Sequence, residues 1–323
     1  MHDLPFDQFC AYCGLGNLIA APIPLTGGFL HKMFRIETQK GIFAAKALNP
    51  GILKRPDAPD NYRSSERIAH HALEAGLPAL PAISVNGDIL ILTGEQHWML
   101  FPWQDGKALA PDQVTPCHAE KVGELLGRLH TLLPAPGESS DPPIYNWERF
   151  TDAGMPWSEE FARMLPRLRQ WNDKGCSAAK ILTEGRVLSH RDMDPKNVLW
   201  TGSIPCIIDW EAAGPVHPLQ EMVETALCWS DDGQKEDCLL AFLRGYCRYC
   251  TPDSSLLDAA GYAVILGRLD WLYYNLARSL GAEGADEESR TVGVEQSTLA
   301  MRGLEKLEAV LPLFKKYYAA RKE

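Results

Sequence analysis

The chain has 323 residues, 46% hydrophobic and 23% charged, enough to bury a large core, so a soluble globular protein of one or two domains is expected. Its 32 Lys and Arg against 42 Asp and Glu leave a formal net charge of −10, which disfavours a nucleic-acid partner and modestly favours a cationic one. The opening MHDLPFDQFC lacks a basic n-region and no window approaches about 18 apolar residues, so neither a signal peptide nor a membrane partner is expected.

Residues 22–48 read as strand, glycine turn, strand, turn, strand, with β-branched and aromatic residues between Gly27-Gly28 and Gly41. A proline- and glycine-containing loop near 50–60 precedes a helical pattern over 61–76 that ends at a glycine cap. From 83 to 101 the pattern returns to strands, with turn signals at Asn86-Gly87 and Thr93-Gly94, so the N-terminal third is expected to be a sheet of about five strands with one helix. The run Phe101-Pro102-Trp103-Gln104-Asp105-Gly106 breaks the pattern, and we place a lobe boundary there, giving an N-terminal lobe 1–103 and a C-terminal lobe 104–323.

Beyond the break, 119–133 is helical, 134–156 is a Pro-, Gly- and Ser-rich loop, and 157–183 is helical despite Pro166. A short apolar strand, a polar loop and two short strands joined by Gly202-Ser203 fill 187–210, and four helical segments follow from about 215. Nine cysteines without a secretory leader indicate reduced thiols and a cytoplasmic location. Cys10 with Cys13 and Cys247 with Cys250 have C-x-x-C spacing, but a zinc or redox site needs more than that, and they read as small apolar residues on helices.

The chemistry concentrates in the polar loop. His190-x-Asp192-x-x-x-x-Asn197 matches the catalytic-loop pattern of kinases, where the aspartate accepts the proton of the substrate hydroxyl and the asparagine binds a metal ion. Asp209 ends the apolar run Cys206-Ile207-Ile208, so Asn197 and Asp209 form a candidate oxygen pair for Mg2+. Lys46 is a lone charge in the apolar run of the third strand and needs a partner there, for which Glu66 on the following helix is the first choice and Glu74 the second. Such a lysine holds the α- and β-phosphates of a nucleotide. Gly27-Gly28 could lay backbone N–H groups near phosphates, or be a plain hairpin turn.

Gly27-Gly28, Lys46, Glu66, Gly127-Arg128-Leu129-His130, His190-Arg191-Asp192 to Asn197 and Ile208-Asp209-Trp210-Glu211 together resemble the aminoglycoside phosphotransferase and choline kinase family, over residues 20–230. The resemblance implies an α+β, protein-kinase-like bilobal fold with a small antiparallel N-terminal lobe and a mainly helical C-terminal lobe. It further implies ATP or GTP in a cleft, with the base contacting the hinge at Phe101 to Trp103, Mg2+ at Asn197 and Asp209, and Asp192 as base. Two positions depart from the usual pattern: Arg191 stands where these kinases often have glycine, and Pro218-Leu219-Gln220-Glu221 replaces Pro-x-x-Asp. His190 is expected to be architectural.

The later helices would build the acceptor pocket. Glu224, Asp231, Asp232, Asp270 and Glu283, with Trp229 and Trp271, could receive a cationic acceptor such as an aminoglycoside through ion pairs and cation–π contact, and Glu211 could touch substrate or metal. Choline, homoserine or a sugar metabolite are alternative acceptors, and a nucleotide-binding interaction module without catalysis is the alternative from another class.

Overall fold

The computed structural model describes residues 4–25, 31–135, 142–282 and 285–320. Its elements run α1 (Phe6–Tyr12), β1 (Ile23–Leu25), β2 (Lys32–Thr38), β3 (Gly41–Ala47), α2 (Pro50–Leu53), α3 (Ala58–Glu74), β4 (Ile91–Thr93) and β5 (Gln96–Pro102). There follow α4 (Pro116–Leu129), α5 (Ser158–Ile181), β6 (Val187–Ser189), β7 (Val198–Thr201), β8 (Ile204–Ile207), β9 (Gly214–Val216), α6 (Pro218–Cys228), α7 (Glu236–Tyr246), α8 (Leu257–Ser279) and α9 (Glu287–Ala320). None of the described helices is long and apolar enough to cross a membrane.

The chain forms two compact units that are not consecutive halves: Met1–Leu109 groups with His190–Gly214, and Ala110–Ser189 with Pro215–Glu323. The expected division at 103/104 therefore differs from the compact units, because the 190–214 segment is stitched to the N-terminal part. The Ile207 N–H donates to Pro78 C=O at 2.7 Å and its C=O accepts the Leu80 N–H at 2.9 Å, while Lys107 and Trp200 exchange two backbone bonds of 3.0 and 3.1 Å.

In the first unit β1–β5 form an antiparallel sheet in the order β1-β2-β3-β5-β4. The two-residue side-chain period of β3 decides which residues meet which layer. Ala45 and Ala47 enter a core with Phe9, Cys10, Ile36, Trp98 and Leu100, where α1 packs its Phe9 ring 4.7 Å from that of Trp98. Ala44 and Leu48 face the other way, into a core with Ala58, Tyr62 and Met99, and Lys46 shares their parity. The helix α3 repeats buried residues at Ala58, Tyr62, Ser65, Glu66, Ala69 and Ala72, a stripe of helical period that brings Glu66 to its inner face.

The turn at Thr93-Gly94 closes β4 onto β5 as expected, whereas Asn86-Gly87 closes only one isolated bridge, Val85 with Asp88. The residues 83–90 carry bulk without ladder: Ile89 is buried, yet Asp88 captures the Ile89 and Leu90 N–H groups with its own side chain and removes them from strand pairing.

The second unit is helical apart from short strand segments. Glycines allow α4 and α7 to touch backbone to backbone: a Cβ at Gly123 would collide with Phe242 O, and one at Gly245 with Glu120 O. Tyr246 of α7, Glu221 of α6 and His130 after α4 form a buried network, with His130 Nδ1 2.7 Å from Tyr246 Oη and Nε2 2.9 Å from Glu221 Oε2. Glu221, the residue standing in for the usual aspartate, is 2% exposed and partnered. Pro166 sits inside α5 without ending it.

Candidate active site

Within the first unit the segment after β8 brings two carboxylates to Lys46. Although Lys46 is only 6% exposed, its Nζ lies 2.8 Å from Asp209 Oδ1 and 2.5 Å from Glu211 Oε2. Burial opposes the ammonium, but Asp209 and then Glu211 outweigh it and hold Lys46 protonated far above the usual lysine range. Burial likewise opposes the Glu211 carboxylate, and Lys46 followed by His31 reverses this and holds it far below the usual glutamate range.

The expected partner differs. Lys46 is ion-paired to Asp209 and Glu211 rather than to Glu66, whose Oε2 instead accepts the backbone N–H of Ala82 at 2.6 Å. The physical reason is local. Glu66 sits on the inner stripe of α3 opposite a buried N–H that has to be satisfied, while the segment after β8 delivers two carboxylates to the ammonium. Burial pushes the Glu66 carboxyl up to about 7, against the pull of the Ala82 N–H and of Lys46.

The polar loop is held by its own backbone. His190 is fully buried, with Nδ1 accepting the Asp192 N–H at 3.2 Å and Nε2 lying 3.0 Å from Ile208 C=O. The ring therefore carries its proton on Nε2 and ties the loop to the segment that bears Asp209, as expected of an architectural residue. Asn197 Nδ2 donates to the Asp192 C=O and to Asp192 Oδ2, both at 2.8 Å, and Lys196 Nζ lies 3.3 Å from Asp192 Oδ1 and 3.0 Å from Asp194 Oδ2. Partial desolvation opposes the Lys196 charge, but Asp194 and then Asp192 hold it protonated well above its usual range, although half of its side chain is exposed.

Two residues of the site occupy the left-handed region: Arg191 at φ 66° and Asp209 at φ 58°. Arg191 takes the place often given to glycine in the family it resembles, and the positive φ is the reason glycine suits it.

The donor set fits magnesium. The Asn197 C=O accepts the Ile208 N–H at 2.9 Å, which sets Asn197 beside the residue preceding Asp209. The amide nitrogen of Asn197 is spent on Asp192, leaving Oδ1, and Asp209 Oδ1 is spent on Lys46, leaving Oδ2 on a side chain 39% exposed. One amide and one carboxylate oxygen are the kind of pair this hard cation takes from protein while keeping water and phosphate ligands. Among the described residues no group of three or more His, Cys, Asp or Glu forms a denser metal cluster.

The other expected residues fall elsewhere. Gly27-Gly28 and Glu283 lie outside the described residues. Phe101 is a paired residue of β5 opposite Ala44, and Trp103, just past the strand, donates from Nε1 to Asp105 Oδ1 at 2.8 Å beneath the Arg35 guanidinium. In the second unit Glu224 pairs with Arg268 at 3.3 Å, and Asp231 and Asp232 form a turn with φ of 53° at both residues. Asp270 accepts from Tyr145 Oη at 3.4 Å, and Trp271 stacks on Tyr274 at 5.7 Å. Trp229 is fully buried, a core residue unable to face a soluble acceptor. Reading the sequence missed Lys196, His31 and Tyr62. Only Lys196 left a signal there, four residues after Asp192.

A model of the family described as phosphotransferase enzyme family matches residues 23–259. Among solved structures, a choline/ethanolamine kinase family protein from Mesorhizobium loti is 16% identical, with 97% of this chain and 96% of that one covered and a TM-score of 0.61. Spectinomycin phosphotransferase in complex with ADP and spectinomycin is 13% identical, covering 92% and 96%, with a TM-score of 0.63. A microcompartment-associated aminopropanol kinase is 15% identical, covering 96% and 98%, with a TM-score of 0.65. At these identities the likeness establishes the fold, a kinase-like one with a small antiparallel sheet and a larger helical part. No curated protein matches the chain.

Proposed function

The chain belongs to the phosphotransferase enzyme family, as a small-molecule kinase, and we propose that it moves the γ-phosphoryl group of ATP or GTP to a hydroxyl of a small cationic acceptor, with Asp192 as the base. The observation that carries this reading is the Asp192 carboxylate itself. Asn197 Nδ2 donates to Asp192 Oδ2 at 2.8 Å and Lys196 Nζ lies 3.3 Å from Oδ1, so the carboxylate is held in the loop by an amide and an ammonium.

In this reading Asp192 orients the acceptor hydroxyl and takes its proton as the bond to phosphorus forms. Lys46 Nζ stabilises negative charge on the phosphates, and Lys196 holds the Asp192 carboxylate in place. Asn197 Oδ1 and Asp209 Oδ2 would hold Mg2+, which when bound supplies positive charge to the phosphates. Phe101 and Trp103 would border the nucleotide base.

A cationic acceptor is supported by the net charge of −10 and by the carboxylates of the helical unit, with Asp270, Trp271, Glu224, Asp231 and Asp232 as candidates. The names of the similar structures point the same way, since choline, ethanolamine, aminopropanol and spectinomycin all carry amines or ammonium groups.

The deciding experiment is acceptor-dependent ADP or GDP release over a panel of aminoglycosides, amino alcohols and sugar metabolites. We expect at least one amine-bearing acceptor to be turned over, and Asp192→Asn to lower its kcat by about 10²- to 10⁴-fold with an unchanged melting temperature. Asp192→Asn turning over at near the wild-type rate would sink the assigned base, and silence across the panel with intact nucleotide binding would favour an interaction module.

A further inference from the structure

Glu211 reaches Lys46 from a three-residue 3-10 turn, Trp210–Ala212, entered through left-handed Asp209. So short a turn does not fix a side chain with three rotatable bonds, and the restraint comes from far away in the sequence. His31, 8% exposed, accepts the backbone N–H of Asn49 on Nδ1 at 2.9 Å. A ring nitrogen that accepts carries no proton, so the neutral imidazole holds its hydrogen on Nε2.

That Nε2 lies 3.0 Å from the Tyr62 oxygen and 3.3 Å from Glu211 Oε2. The Asn49 N–H that sets the tautomer is itself fixed, because Asn49 caps α2 by accepting the Gly51 N–H on Oδ1 at 2.8 Å. Tyr62 projects from the inner stripe of α3 and is 7% exposed. Backbone after β3 and a helix therefore converge on the His31 ring, whose Nε2 meets the same Glu211 Oε2 that holds Lys46 Nζ.

We infer that His31 is a positioning residue for phosphoryl transfer: its Nε2–H, shared between Tyr62 Oη and Glu211 Oε2, fixes Glu211, and Glu211 in place of Glu66 aims the Lys46 ammonium. The inference rests on the reading that Lys46 meets the phosphates of the nucleotide. Glu66 is unsuited to the task because its carboxylate is committed to the Ala82 N–H.

The test uses the full chain, with steady-state kinetics at varied nucleotide, direct ADP binding, and 15N NMR of the His31 ring. His31→Leu is expected to raise the nucleotide KM and the ADP Kd about tenfold with a smaller change in kcat, the size of one lost hydrogen bond to a charged group. His31→Gln, whose amide N–H can stand in for Nε2–H, recovers most of that loss. The double variant His31→Leu with Glu211→Gln is no worse than Glu211→Gln alone, since His31 acts through Glu211. The ring signature is that of the Nε2–H tautomer.

An unchanged nucleotide KM in folded His31→Leu, losses that multiply in the double variant, or a greater KM rise in Glu66→Gln than in Glu211→Gln would each overturn the inference. Should His31→Leu fail to fold, the His31→Gln kinetics and the tautomer decide, and a proton on Nδ1 overturns it. If the wild-type chain neither binds ADP nor GDP nor releases them, the functional reading itself falls, a result distinct from a nucleotide-binding wild type that is indifferent to His31.

Discussion

Each unit buries a histidine against a glutamate, and the two pairs differ in where they end. In the helical unit His130 meets Glu221 and Tyr246, with side-chain exposures of 0% for His130 and 2% for Glu221, so neither can reach a ligand. In the sheet unit His31 is just as deeply placed, but its chain of contacts runs outward through Glu211 and Lys46 to Asp209, whose side chain is 39% exposed. A closed polar network specifies packing, whereas an open one transmits position to a group that can act. The same two residue types thus serve different ends according to whether the last member meets solvent.

That contrast can be broken most strongly at His130. His130→Leu removes the imidazole that meets the buried Glu221 carboxyl in a dry site, and a loss of about 3–5 kcal/mol is expected by denaturant unfolding. Activity per folded molecule should stay at the wild-type level. A loss of specific activity with full stability would show that the helical network is not merely architectural.

Glu66 gives a smaller effect with a definite sign. Its folded carboxyl titrates at about 7 and an unfolded glutamate near 4.3, so between those values the folded chain binds more protons and stability falls as pH rises. Glu66→Gln keeps an oxygen for the Ala82 N–H and has no charge to bury. Set equal to the wild type at pH 5, it should exceed it by about 2.5 kcal/mol at pH 8, read from urea midpoints at the two pH values. Equal stability at both would remove the buried carboxyl as a source of pH dependence.

The smallest effect belongs to Arg248, which bridges Glu120 and Glu124 on the surface of the helical unit with 52% of its side chain exposed. Arg248→Ala should cost less than about 1 kcal/mol, and the cost should shrink further in high salt. A loss as large as that of His130→Leu would erase the distinction between buried and exposed ion pairs on which the comparison stands.

Much of this was legible from residue order. The strands of 22–48, the helix α3, α5 running through Pro166, the β7–β8 hairpin at Gly202-Ser203 and the four closing helices follow from local periodicity and turn chemistry. Asp192 and Asn197 were legible because their spacing lies within one loop. The Lys46 partnership was not. The choice between Glu66 and Glu211 depends on which carboxylate a distant backbone N–H captures, and Ala82 gives no hint of that in sequence. His31 was invisible for the same reason, since its role follows from a tautomer fixed by Asn49 eighteen residues away. The missing strand before residue 91 turned on Asp88, a side chain that competes with the ladder.

Asp209 sits at φ 58° and ψ 62°, a conformation that costs most side chains about 1 kcal/mol or more. Two filters act on this one position. The backbone admits glycine, asparagine and aspartate, and the partnership with Lys46 asks for an acid. Their overlap is a single amino acid, so the turn after β8 has an alphabet of one letter, and the chain can be expected to tolerate change almost anywhere in that turn before it tolerates it there.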